Sequence, residues 1–134
     1  MKRLVYVFAL FTFLTSCSKD EVNPEDYTSS FVGTWKTSDT HDDYKTSYIW
    51  NFNKLTNSTV KLTITSIQQY KTEKPVTTLR VIEPVRVPDY RTLDFTETND
   101  GTKLMGTGVL TNDLLSVSFT AVGGDAGYWE LKKQ

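Results

Sequence analysis

The stretch Tyr48-Ile49-Trp50-Asn51-Phe52-Asn53 sets aromatic side chains at alternate positions, with Ile or Asn between them. Successive side chains of a strand point to opposite faces, so this reads as a strand with one aromatic face. The same period recurs along the chain. Val60, Leu62 and Ile64 alternate with Lys61, Thr63 and Thr65; Leu93 and Phe95 alternate with Asp94 and Thr96. Leu115, Val117, Phe119 and Ala121 alternate with Ser116, Ser118 and Thr120. Strands with one apolar face must bury those faces against one another, which leaves a closed barrel or a two-sheet sandwich.

Working outward, strands are expected at 32–37, 46–54, 59–67, 76–83, 91–98, 104–111, 114–121 and 127–133. No window supports a long amphipathic helix. Asn57-Ser58, Asn99-Asp100-Gly101 and Asn112-Asp113 are turn chemistry, because these residues accept the positive φ that tight hairpins need. Short connections in succession give an antiparallel meander. Pro75, Pro84 and Pro88 bracket the fourth strand and mark it as an edge, a corner or a partly irregular segment. Roughly eight meandering strands favour a barrel, because closure removes exposed edges. An immunoglobulin-like sandwich is the alternative.

Phe31-Val32-Gly33-Thr34-Trp35 resembles the Gly-x-Trp opening of lipocalins and of the small lipocalin-like lipoproteins of Bacteroidota. The closing stretch Tyr128-Trp129-Glu130-Leu131-Lys132 resembles the aromatic last strand of that group. The resemblance implies a lipocalin-like β-barrel domain over residues 31–134. It implies that Gly33 lets the strand bend, that Trp35 plugs the closed barrel end, and that Lys132 is the basic residue above it. The family's C-terminal helix has no counterpart here, and Asp89-Tyr90, which is similar to a second lipocalin motif, follows Pro88 and precedes a strand.

The N-terminus carries a different signal. Lys2 and Arg3 precede an uncharged run from Leu4 to Leu14. That run is well short of the roughly 20 apolar residues a membrane-spanning helix needs, and it has the form of a secretory signal peptide. Leu14-Thr15-Ser16-Cys17 resembles the lipobox of bacterial lipoproteins. That resemblance implies a signal peptide over residues 1–16, cleavage before Cys17, and acyl chains on Cys17 that anchor the protein in the outer membrane. Cys17 is the chain's only cysteine, so no intramolecular disulfide forms. Residues 17–30 are polar and are expected to be a flexible lipidated tether. Within them Ser18-Lys19-Asp20-Glu21 resembles the surface-export signal of Bacteroidota lipoproteins, which implies display at the cell surface.

Composition narrows the function. Removing residues 1–16 from the 134 leaves 118 residues with 13 basic and 16 acidic side chains, a formal charge of −3. No basic run interleaves with aromatics, which speaks against nucleic acid as a partner. The membrane contact expected is the lipid anchor at Cys17, and no protein partner is named by the sequence.

Catalysis has little support, and the reading is a non-enzyme. The single histidine, His41, lies within Asp39-Thr40-His41-Asp42-Asp43, without a base or orienting group assigned to it. The acidic loop lacks calcium-loop spacing and reads as solvated; no metal or cofactor is expected. Asp94, Glu97 and Asp100 form no forced carboxylate pair, although Glu97 shares the apolar register. Arg80, Arg86 and Arg91, with Tyr90, form either an anion- or carbohydrate-contacting lip or a solvated loop balanced by Glu83 and Asp89. Gly106, Gly108, Gly123 and Gly124 read as strand bends and turns.

Binding is the better expectation. Tyr48, Trp50 and Phe52 either fill a core or line the cavity of a barrel, with Phe119 and Trp129 joining them. A barrel of this strand number holds one small ligand or fills with side chains. The expected role is carriage of a small apolar or amphipathic ligand. The alternative is a non-catalytic surface or structural module that binds a protein or glycan.

Overall fold

The computed structural model describes residues 25–99, 102–123 and 126–134. The expected signal peptide, Cys17 and the tether up to residue 24 lie outside the described residues.

Eight antiparallel strands follow one another around a closed barrel. They are β1 (Gly33–Thr40), β2 (Tyr44–Lys54), β3 (Thr59–Tyr70), β4 (Val76–Arg86), β5 (Thr92–Asn99), β6 (Thr102–Thr111), β7 (Leu114–Ala121) and β8 (Ala126–Lys133). The expected strands are all present, their ends displaced by at most three residues. Asn112 takes φ +54° in the two-residue loop between β6 and β7, the left-handed conformation its short polar side chain tolerates. Closure of the barrel removes the sandwich alternative.

Pairing around the barrel is uneven. β2 pairs with β3 along its whole length, from Tyr44 opposite Tyr70 to Lys54 opposite Val60. β4 meets β5 only at Arg86 opposite Asp94. β1 meets β8 only at Trp35 opposite Lys133 and Lys36 opposite Lys132. Both seams are therefore joined at one end, the base, and part toward the other end, the mouth. The proline-bracketed fourth strand is accordingly an edge over most of its length. A bulge lies within it: Val60 pairs with Val85 and Leu62 with Ile82, so β4 carries one extra residue there. The extra residue keeps both Ile82 and Val85 facing inward, and both are buried.

The base is packed solid. Phe31, Trp35, Phe52, Val60, Leu62, Ile82, Val85, Val87, Leu93, Leu115 and Leu131 are all at most 2% exposed. A 3₁₀ helix, Tyr27–Ser30, lies under them and corrects the expected tether, which was to run flexibly to residue 30. Asp26 caps it by accepting the backbone N–H of Thr28 at 3.0 Å, and Lys54 holds the same carboxylate at 2.6 Å. Thr28 is fully buried, the Tyr27 N–H donates to Asn57 O at 2.9 Å, and Tyr27 packs edge-on against Tyr90. Polar composition there hides a structural cap, because its hydroxyls and backbone satisfy one another and the facing loops.

Above this floor Trp35 is the plug that the resemblance implied. It is fully buried, and its indole N–H donates to Phe31 O at 2.7 Å. Gly33 has φ +124°, a conformation that favours glycine. The basic residue over the ring is Lys133, at 5.3 Å from the ring centre, and not Lys132. The correction is one of phase: Trp129, Leu131 and Lys133 share the inward face of β8, whereas Lys132 points outward.

Candidate functional site

Toward the mouth the inward residues change character. Tyr48 and Trp50 of β2, Ile64 and Ser66 of β3, Thr78 and Arg80 of β4, Glu97 of β5, Phe119 of β7 and Trp129 of β8 replace the aliphatic packing. Register explains why they meet: Tyr48 stands opposite Ser66, which stands opposite Thr78; Trp50 stands opposite Ile64, which stands opposite Arg80. On the other side Phe119 stands opposite Gly127, and Val117 opposite Trp129.

The aromatic rings form one connected group. Phe119 stacks on Trp129 with centroids 4.3 Å apart and planes 24° from parallel. Tyr48 meets Trp129 at 5.5 Å, and Trp50 meets it edge-on at the same separation. The Phe119 stack and the edge-on Trp50 contact are the offset and T-shaped arrangements that the ring quadrupoles favour, while Tyr48 lies tilted at 48° to Trp129. Because Tyr48 and Trp50 belong to the first half of the barrel and Trp129 to the second, the rings bridge the parted seam between β1 and β8.

Glycine makes room for this group. A Cβ on Gly127 would lie 1.9 Å from Phe119 Cζ, and one on Gly106 would lie 2.1 Å from Phe95 Cζ. Gly106, Gly108 and Gly127 thus face inward beneath Phe95, Leu93 and Phe119. Gly106 and Gly108 were expected as bends; they are instead gaps filled by side chains of the neighbouring strand. Finding them requires knowing the cross-strand register, which no single strand reveals.

A cavity of about 380 Å³ opens among Tyr48, Ile64, Ser66, Thr78, Arg80 and Trp129, and the exposed Leu79 borders it at the parted seam. Ser66 and Thr78 share a hydroxyl hydrogen bond of 2.8 Å on its wall. Arg80 Nε lies 3.4 Å from Glu97 Oε2 across the parted seam between β4 and β5. Glu97 does share the inward register, with its side chain 17% exposed, and its Oε2 makes no hydrogen bond among the described residues. The Trp50 indole N–H is also buried with no partner among the described residues.

Of the expected ligand residues, Tyr48 and Trp129 line the cavity. Trp50 and Phe119 support it through Trp129. Phe52 is 1% exposed and belongs to the packed base. The arginine lip does not assemble: Arg80 faces inward, Arg86 faces outward beside Asp94 at 3.6 Å, and Arg91 follows the exposed Asp89 turn. The Asp39–Asp43 loop lies at the rim, where His41 pairs with Asp39 at 3.0 Å and packs on Tyr44. No group of three or more His, Cys, Asp or Glu side chains is placed to hold a metal ion among the described residues. Of the three arginines read as a lip or a solvated loop, Arg80 alone reaches this cavity; its inward direction is not visible in the alternation, since Leu79 and Val81 beside it invert the expected apolar pattern and are themselves exposed.

The chain is similar in structure to two ligand-bound barrels. One is EF1p2_mFAP2b bound to DFHBI, with a TM-score of 0.54 and 16% identity, covering 81% of this chain and 98% of that one. The other is a redesigned β-barrel, mFAP1, bound to DFHBI, with a TM-score of 0.51 and 16% identity, covering 82% of this chain and 100% of that one. The likeness is one of fold. No protein-family model and no curated protein sequence matches the chain.

Proposed function

We propose that this chain is a lipid-anchored, non-catalytic protein of the bacterial outer membrane, displayed at the cell surface, that carries a small apolar or amphipathic molecule in the upper half of its barrel. The observation that carries the reading is the cavity of about 380 Å³ between Tyr48 and Trp129, above a fully packed base. Small-molecule sites are concave, mostly apolar and roughly 300–1,000 Å³, with a few placed polar groups. That both structural neighbours were solved bound to DFHBI supports the capacity of such barrels to admit a guest. The lipobox resemblance at Leu14-Thr15-Ser16-Cys17 supports the anchor, and Ser18-Lys19-Asp20-Glu21 supports surface display.

The rival reading, an interaction module binding a protein or glycan, draws on Leu79 and Val81, which are 67% and 43% exposed on the outer face of β4. Native mass spectrometry of the protein taken from its own envelope separates the two. A discrete extra mass lost on denaturation supports carriage. A bare mass in every preparation overturns it and turns the search to surface partners.

A further inference from the structure

We infer that the carried molecule is an amphipathic anion, its apolar body against Tyr48 and Trp129 and its acidic group on the free end of Arg80. This deepens the carriage reading and rests on it.

The polar groups on the cavity wall favour such a guest. Arg80 lines the cavity, and its only partner among the described residues is Glu97, met at Nε. A guanidinium carries five N–H donors in a planar fork, so its two terminal amino groups are left without a protein acceptor. Ser66 and Thr78 answer each other, which leaves one hydroxyl hydrogen to spare.

Glu97 leaves the guanidinium fork open. Its Oε2 is buried behind Arg80 and does not line the cavity, so it neutralises the guanidinium without occupying its fork. The cavity therefore offers a cationic fork beside the hydroxyls of Tyr48, Ser66 and Thr78, and its remaining walls, Ile64, Leu79 and Trp129, are aliphatic and aromatic. Arg80 is about half exposed, its side chain 47% accessible, so water serves its amino groups in the empty protein, and a guest that supplies charged oxygens replaces that water with a charge-assisted pair. A carboxylate, sulfonate or phosphate group matches the guanidinium fork with two parallel hydrogen bonds. A cationic guest would face guanidinium donors and find no carboxylate among the described residues lining the cavity.

Two dyes isolate the anion. Anilinonaphthalene sulfonate and phenylnaphthylamine share one aromatic body and differ by the sulfonate. Each is titrated into the purified protein, with its emission and the quenching of tryptophan fluorescence as readouts. The expected result is that the sulfonate binds at least about tenfold more tightly, and that Arg80→Gln removes this preference. Glu97→Gln should tighten the sulfonate several-fold, because the carboxylate no longer competes for the guanidinium, and this variant keeps the test open if Arg80→Gln does not fold. Equal affinities for the two dyes, or a preference that survives Arg80→Gln, overturn the anion assignment and leave carriage standing. Binding of neither dye, or binding indifferent to Trp129→Leu, overturns carriage itself.

Discussion

Lys133 Nζ stands 5.3 Å from the centre of the Trp35 ring and donates to Ser30 O at 2.8 Å. One cation thus ties three parts of the chain together: the last strand, the plug at the start of the first, and the 3₁₀ helix beneath. Trp35 closes the circuit by donating from its indole to Phe31. This stitching lets the base stay closed where β1 and β8 share only two residue pairs.

Truncating the plug tests that role. Trp35→Ala should cost about 3–5 kcal/mol, the range for deleting a fully buried large aromatic. Lys133→Met keeps most of the packing and should cost about 1–2 kcal/mol through the lost cation–π contact and hydrogen bond. Urea titration followed by tryptophan fluorescence measures both. A loss below about 1 kcal/mol for Trp35→Ala would show that the ring is not the plug.

The inward glycines give a paired prediction. Gly106→Ala drives a methyl into Phe95, which is 4% exposed and has nowhere to turn. Gly127→Ala meets Phe119 with similar closeness, but that ring is only partly buried near the mouth and can swing aside. Overpacking a tight site typically costs about 1–3 kcal/mol, and relief by rotation lowers it. Thermal unfolding should therefore show the larger loss for Gly106→Ala. Gly127→Ala should instead change the near-ultraviolet circular dichroism, because it breaks the stack on Trp129. Equal losses would mean that both rings are equally confined.

Much of this architecture is legible in the chain. Eight strands follow from period-two alternation, and the reading holds because each segment also ends in turn chemistry, as at Asn112-Asp113. The aromatic half of the site follows from Tyr48 and Trp129 in the same way. Three features escape, each for a physical reason. The Tyr27–Ser30 cap is made of polar groups that satisfy one another locally, so composition reads it as tether. Lys133 is hidden by a phase error of one residue, which counting inward by two from Trp129 corrects. The inward direction of Arg80, read in the sequence only as part of an arginine lip or a solvated loop, is hidden because the bulge at Glu83-Pro84 shifts the phase of β4, so no single alternation describes both ends of that strand.

The cap should be sensitive to acid. Lys54 and the Thr28 hydroxyl, together with the Thr28 N–H, hold the Asp26 carboxyl down at about 2, against an ordinary value of 3.8. A folded-state value below the unfolded one adds stability that is fully present above pH 3.8 and is lost as pH falls toward 2. Asp26→Asn keeps a competent helix cap but carries no such charge. Its melting temperature should fall less steeply than the wild type's across that window, and the two profiles should run parallel at higher pH. Parallel profiles throughout would mean that Asp26 titrates normally in the folded protein.

The parted seams predict uneven hydrogen exchange. β2 has a bonded neighbour on both sides from Lys45 to Phe52, whereas β4 from Val76 to Val81 has one on the β3 side only. Seam-facing amides of β4 should exchange at least about tenfold faster than those of β2, since exposed backbone bonds open at low local free energy. A guest spanning Arg80 and Trp129 would slow them, because it adds contacts on both sides of the opening. Equal protection of β2 and β4 in the empty protein would mean that the seam is closed in solution.

The anchor is tested at the residue that the lipobox resemblance singles out. Cys17 is the chain's only thiol, so Cys17→Ala leaves no alternative site for a thioether. A single acyl chain binds a membrane only marginally, while two or more hold it stably, each buried CH₂ contributing about 0.8 kcal/mol. The variant should therefore lose acyl labelling and partition fully into the soluble fraction, not merely bind more weakly. The wild type should resist extraction by salt and yield only to detergent. Labelling that persists in Cys17→Ala would move the modification elsewhere and remove the lipoprotein reading with it.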